Sequence, residues 1–190
     1  GGISYTRADT NIDGKGAGKA TTDVTSHIIS LYGDYSTDTY YIETQLALGT
    51  NDYTSSRKIN VSNLSIDRTA KGDFDGAQAS LSFAVGVPLP QDKGWWVTPR
   101  GSLTLLKTGT NSYTESGATN LNQKYDRSIN DKVIAGFGLN IDNVKETDAS
   151  TINTQLRFGV NYDLMDDPIK MTAKFVDTGV AYESVINQEA

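Results

Sequence analysis

Hydrophobic and polar residues alternate along most of this chain with a period of two, the spacing of a β-strand with one apolar and one polar face. The clearest case sets Tyr40, Ile42, Thr44, Leu46 and Leu48 against Tyr41, Glu43, Gln45, Ala47 and Gly49. Upstream, Ile29, Leu31, Gly33 and Tyr35 oppose Ser30, Tyr32 and Asp34; downstream, Leu81, Phe83 and Val85 oppose Ser80, Ser82 and Ala84. Stretches at 95–105, 132–141, 155–164 and 169–175 repeat the arrangement. The apolar faces of these segments carry no charge. The opposite faces carry Asp34, Glu43, Arg100, Lys132, Arg157, Asp163, Lys170 and Lys174.

Two architectures produce such a pattern. In a soluble sandwich or small barrel the apolar face packs inward, and in a transmembrane barrel it points out to lipid. Two features favour the membrane version. The polar face is rich in Gly, Ala, Ser and Thr, which suits a crowded interior, and the apolar face carries Tyr35, Tyr40, Trp95 and Tyr162 near segment ends, where interfacial girdles belong. The apolar runs also match the roughly 9–11 residues that a tilted strand needs to cross a bilayer.

Connection lengths agree with this reading. Ser36-Thr37-Asp38, Pro88 to Gly94 and Met165 to Pro168 are compact turn sequences, while 10–23, 52–73, 108–120 and 143–151 are long and polar. Alternation of short and long connections predicts nine strands: 1–9, 23–35, 40–53, 74–87, 95–107, 121–128, 132–142, 153–164 and 169–177, with a turn at Asn130-Asp131. The odd-numbered strands then run outward, and Gly179 to Ala190 forms an outer loop. Pro99, lacking an N–H, marks a bulge in the fifth.

Composition removes whole classes of chemistry. The chain of 190 residues has no Cys, so thiol catalysis and cysteine-ligated zinc are excluded. Only 37% of it is apolar, and no run approaches the roughly 20 apolar residues of a membrane helix. The net charge of -6 argues against nucleic acid as a partner. Gly14 to Ala20 imitates a phosphate loop, but Asp13 stands where the first glycine is needed and Ala20 where Ser or Thr is needed. His27, the only histidine, shares a face with Thr25, Ile29 and Leu31 and points outward, away from any converging triad. The eight polar-face charges have two readings: a hydrated lumen that contacts a polar passenger or plug, or mutual neutralisation of Asp34, Glu43 and Asp163 by Arg100, Lys132 or Arg157.

Four segments resemble a known family in the right order. Leu31-Tyr32-Gly33-Asp34-Tyr35 is similar to the strand-closing "LYG-x-Y" of the autotransporter β-domain, the translocator of type V secretion. Gly86-Val87-Pro88-Leu89-Pro90 with Trp95-Trp96-Val97-Thr98-Pro99 resembles its proline turn and aromatic return strand. Tyr113-Thr114-Glu115-Ser116-Gly117-Ala118 is similar to its "Y-x-E-x-G-A" segment, and Gly136-Phe137-Gly138-Leu139 to its "G-x-G-L/R" strand.

The resemblance implies an all-β fold: an antiparallel up-and-down transmembrane β-barrel of 12 strands with a helix through its pore. Residues 1–190 would supply one partial domain with about nine of those strands, without the pore helix and the final ones. The expected role is that of an outer-membrane anchor and translocator that helps export a passenger to the surface of a bacterial cell. The expected partners are outer-membrane lipid, a passenger domain in cis and the barrel-assembly machinery; no cofactor and no enzymatic activity are expected. The alternative is an outer-membrane channel or adhesin barrel acting through its own extracellular loops.

Overall fold

The computed structural model describes residues 1–14, 19–147, 149–165 and 168–186. The strands are β1 (Gly2–Asp13), β2 (Ala20–Ser36), β3 (Tyr41–Val61), β4 (Ile66–Gly86), β5 (Leu89–Pro90), β6 (Trp95–Thr110), β7 (Tyr113–Thr114), β8 (Gln123–Tyr125), β9 (Ser128–Thr147), β10 (Ser150–Asp163), β11 (Ile169–Phe175) and β12 (Ala181–Ile186). Seven long strands pair antiparallel in the order β1-β2-β3-β4-β6-β9-β10 and curl into a half-barrel. A second, smaller sheet has the order β12-β11-β8-β7.

Register carries the alternation from strand to strand without a slip. Leu31 pairs with Leu46, Leu46 with Leu81, Leu81 with Leu105 and Leu105 with Val133, so one side of the sheet is a continuous apolar band. The adjacent row, Tyr32, Gln45, Ser82, Thr104, Ile134 and Asp163, lies on the opposite side. The apolar side is the exposed one: Phe137 and Val160 each leave 69% of their surface open. Buried positions of the long strands sit on the polar side, as at Ser30, Ala84 and Thr98, which makes that side concave. Apolar side chains exposed on a convex sheet and polar ones gathered inside is the membrane arrangement, the reverse of a soluble sandwich.

The strands are tilted, and the register shows it. Gly33, three residues from the end of β2 at Ser36, shares a row with Tyr162, twelve residues past the start of β10 at Ser150. Such stagger is what closing a sheet into a barrel requires.

Four expectations need correction. The segment 121–128 is no spanning strand: only Gln123–Tyr125 is extended, and it belongs to the small sheet. No turn occurs at Asn130-Asp131, which pair with Thr108 and Lys107 inside the β6–β9 ladder. Consequently β9 runs back toward the short-turn end, and Thr147 pairs with Ser150 there, so 143–151 is not a long outer loop. The ninth expected strand, as β11, pairs with β8 and β12 and leaves the wall. Period-two alternation identifies a strand but not its neighbour, and this produced the extra count.

Smaller points follow. Gly86↔Arg100 and Leu89↔Val97 keep the same register across Pro99, so the proline interrupts the ladder without a bulge. Gly14 N–H donates to the Ala20 carbonyl at 2.7 Å, closing the β1–β2 hairpin, while residues 15–18 of the phosphate-loop-like segment lie outside the described residues. So do Asp166 and Asp167 of the expected Met165–Pro168 turn and the last four of Gly179 to Ala190, within which 181–186 form β12.

Candidate functional site

The concave wall is built by alternate residues of β2, β3, β4, β6, β9 and β10. Most of its side chains are short and hydrogen-bonding. Ser26 Oγ lies 2.7 Å from Asn51 Oδ1, and Ser82 Oγ lies 3.0 Å from Thr104 Oγ1. Asp34 stands directly across the β2–β3 ladder from Glu43, an unfavourable pair of like charges. Arg100 answers it by reaching over β4, its Nη2 donating to Glu43 Oε2 at 2.8 Å. Lys132 Nζ lies 3.1 Å from Asp163 Oδ2, and Arg157 Nη2 donates to Gln155 Oε1 at 2.9 Å. Two of the three acids are thus paired as mutual neutralisation requires.

At the end away from the short turns the wall is covered. β3 and β4 extend beyond β6, whose pairing with β4 stops at Gly76↔Thr110, and the chain leaving β6 follows the open β4 edge. Asn111 N–H donates to the Asp75 carbonyl at 2.9 Å, and Lys71 and Ser116 exchange two backbone hydrogen bonds of 2.8 Å. Side chains then turn onto the concave face. Tyr53, Phe74, Tyr113 and Tyr125 form one stack with centroid separations of 4.7, 4.0 and 4.6 Å. Gly72 makes room for it, since a Cβ there would stand 2.7 Å from the Tyr113 ring.

Beside the stack, Arg57 grips Glu115 with two parallel bonds, Nε to Oε1 at 3.0 Å and Nη2 to Oε2 at 2.6 Å. Glu115 also accepts from the Gln123 N–H at 2.9 Å, and Arg68 donates to Asn120 Oδ1 at 2.7 Å and to the Ala118 carbonyl at 3.1 Å. The Glu115 side chain is only 5% exposed, and Ala118 and the ladder partners of Arg57 and Tyr125, Ala70 and Ala173, are almost fully buried. This is the most buried cluster among the described residues.

With the wall and its mouth placed, comparison becomes informative. The sequence matches the family described as "Autotransporter beta-domain" over residues 1–189. The chain belongs to the autotransporter β-domain family. No curated protein matches it. Among solved structures, the translocator domain of autotransporter NalP from Neisseria meningitidis is similar with a TM-score of 0.64 and 16% identity, over 91% of this chain and 63% of that one. That likeness concerns the fold, and the chain spans a little under two thirds of the NalP domain's length. As an autotransporter β-domain, the protein is an outer-membrane β-barrel.

The expected site residues divide accordingly. In this autotransporter β-domain Asp34, Glu43, Arg100, Lys132, Arg157 and Asp163 occupy the concave face of the long sheet. Lys170 and Lys174 do not: both lie on β11 in the small sheet. Tyr35, Tyr40 and Trp95 stand at the short-turn end of the convex face, and Tyr162, twelve residues up β10, stands toward the other. His27 is also on the convex face, its Nδ1 2.7 Å from the Tyr5 hydroxyl.

Arg57, Arg68, Phe74 and Gln123 went unnoticed as mouth residues in the sequence. The signal was present: the inward parity of β3 and β4 continues through the polar stretch to Arg57 and Arg68. The motif Tyr113 to Ala118 supplies the stack, the buried carboxylate and the fully buried alanine.

The stack makes a titration prediction. Burial, with the Glu115 charge second, pushes the Tyr113 phenol up to about 12, and burial likewise raises Tyr125. Folding therefore favours the neutral phenols. Their contribution is complete below pH 10, the ordinary tyrosine value, and is lost as pH rises from there toward 12. A phenolate absorbance titration should show late-ionising tyrosines in the folded barrel that are absent from the Tyr113→Phe, Tyr125→Phe double variant.

Proposed function

We propose that this domain acts as the membrane anchor and conduit through which a passenger on the same polypeptide reaches the cell surface. The observation that carries the reading is the sorting of the sheet: an uncharged apolar band faces out, and a polar wall with its charges largely self-paired faces in. Paired charges and short hydroxyl side chains offer a moving polypeptide hydration and no strong electrostatic trap. Outer-membrane lipid is the partner of the convex face, with Tyr35, Tyr40, Trp95 and Tyr162 at its headgroup levels. The barrel-assembly machinery is the partner for insertion. The role is non-enzymatic; the one histidine is engaged with Tyr5 on the lipid side.

Surface display of an epitope-tagged passenger in cells making the full-length protein tests this. With both members of the Arg100 and Glu43 pair neutralised to Gln, display should stay within about twofold of wild type, because neither partner is left without its counter-charge. Arg100→Gln alone, which strands a carboxylate beside Asp34, should lower the barrel's unfolding temperature, by no more than an exposed pair's worth of about 1 kcal/mol. Absence of any surface passenger from a correctly inserted wild-type barrel would instead favour a channel or adhesin working through its own loops.

A further inference from the structure

Resting on the conduit reading, we infer that residues 113–125, backed by β11 and β12, form a lid over the outer mouth of the pore, with Arg57 and Glu115 as its latch. Position comes first. The wall residues the segment engages through side chains, Arg57, Arg68 and Phe74, all belong to the concave face, so from its backbone pairing with the β4 edge at Lys71 the segment reaches over the pore.

The lid is also a built element. It has its own small sheet, buried residues at Glu115, Ala118, Gln123 and Ala173, and a tyrosine of β12, Tyr182, whose hydroxyl donates to Gln123 Oε1 at 2.8 Å. Gln123 Oε1 also accepts from Tyr125 at 2.6 Å, which ties β8 to both the ring stack and β12.

The covalent connections to β6 and β9 are hinges at either end. Between them the segment is held to β4 by the Lys71 and Ser116 backbone pair, the Phe74–Tyr113 stack and Arg68, and to β3 by Arg57, through its bidentate pair with Glu115 and a 3.2 Å bond to the Leu121 carbonyl. Such a pair is strong in a dry site and is weakened when water enters, because each charge then recovers its hydration. A polypeptide emerging through the pore would bring water and its own polar groups against Arg57 and Glu115. The lid therefore seals the mouth when nothing passes and swings about its two ends when something does.

The test uses the full-length protein, folded as judged by heat-modifiable gel mobility, in planar bilayers. Glu115→Gln and Arg57→Gln should each raise the time-averaged ion conductance roughly tenfold over wild type, since the remaining partner is left without its counter-charge. The reciprocal exchange Arg57→Glu with Glu115→Arg should bring it back toward wild type. Closing is tested by Lys71→Cys with Ser116→Cys, which face each other in an antiparallel bridge; residues 1–190 hold no other cysteine. Oxidation should stop passenger display and reduction restore it. Folded latch variants conducting as wild type, or full display from the oxidised pair, would overturn the lid. If the wild type displays no passenger at all, the conduit reading fails, and the conductance of the latch variants still decides the lid.

Discussion

Leu46→Arg should keep the domain from folding into the membrane, whereas Gln45→Arg, one residue earlier, should leave it inserted. Leu46 sits in the apolar row Leu31, Leu46, Leu81, Leu105 and Val133 on the convex face. An arginine near the middle of a lipid-facing band costs about 2–4 kcal/mol. Native domains hold only about 5–15 kcal/mol in total, so one such change removes a large share of the margin. Gln45 lies between Tyr32 and Ser82 on the concave wall, two residues from Glu43 on the same face, where a guanidinium finds water and a carboxylate. Membrane fractionation and heat-modifiable mobility of the two variants in the full-length protein measure the contrast. Equal insertion of both would mean that the convex face does not meet lipid.

Gly76→Val should disrupt the sheet at the mouth. A Cβ at Gly76 would collide with the Gly109 carbonyl oxygen of β6 and stand 3.2 Å from the Tyr53 ring. The first contact is backbone, so it is relieved only by parting the strands at the last rung of their ladder, Gly76↔Thr110. Overpacking of this kind costs about 1–3 kcal/mol, and here it also pulls on the Asn111 and Asp75 bond where the lid begins. Gly101→Val is the control. It lies on the convex face of β6 with nothing within 4 Å of its Cβ position, and should be neutral. Proteolysis at Lys124 and Arg127 reports the difference: faster cleavage is expected for the first variant only, and equal rates would contradict the close approach.

The orientation of the sheet was legible because side-chain direction in a strand is set by residue parity alone. Val133, Ala135, Phe137 and Leu139 could be assigned to one face before it was known which strand lay beside them. The neighbour was another matter. The stretch 121–128 has the length of a short strand and alternates weakly, so its pattern reads as part of the wall, and that reading reverses the direction of the two strands that follow. Pairing depends on backbone groups that are the same in every residue, and no side chain in 121–142 announces whether its partner is Lys107 or Tyr113. Glu115 shows the same limit. Its motif was visible, yet its partner Arg57 lies 58 residues away on a strand that outruns its neighbour.

By itself, then, the sequence determined the class of structure and the two faces of its sheet: apolar to lipid, polar to the interior. These depend on local periodicity and composition, which need no knowledge of what folds against what. Only the tertiary structure decided how many strands form the wall, that Lys170 and Lys174 leave it, that Arg100 spans β4 to reach Glu43, and that a segment resembling an outer loop turns inward to cover the mouth. Each of these depends on contacts between residues far apart in the chain, and such contacts are fixed by register, tilt and the unequal lengths of neighbouring strands.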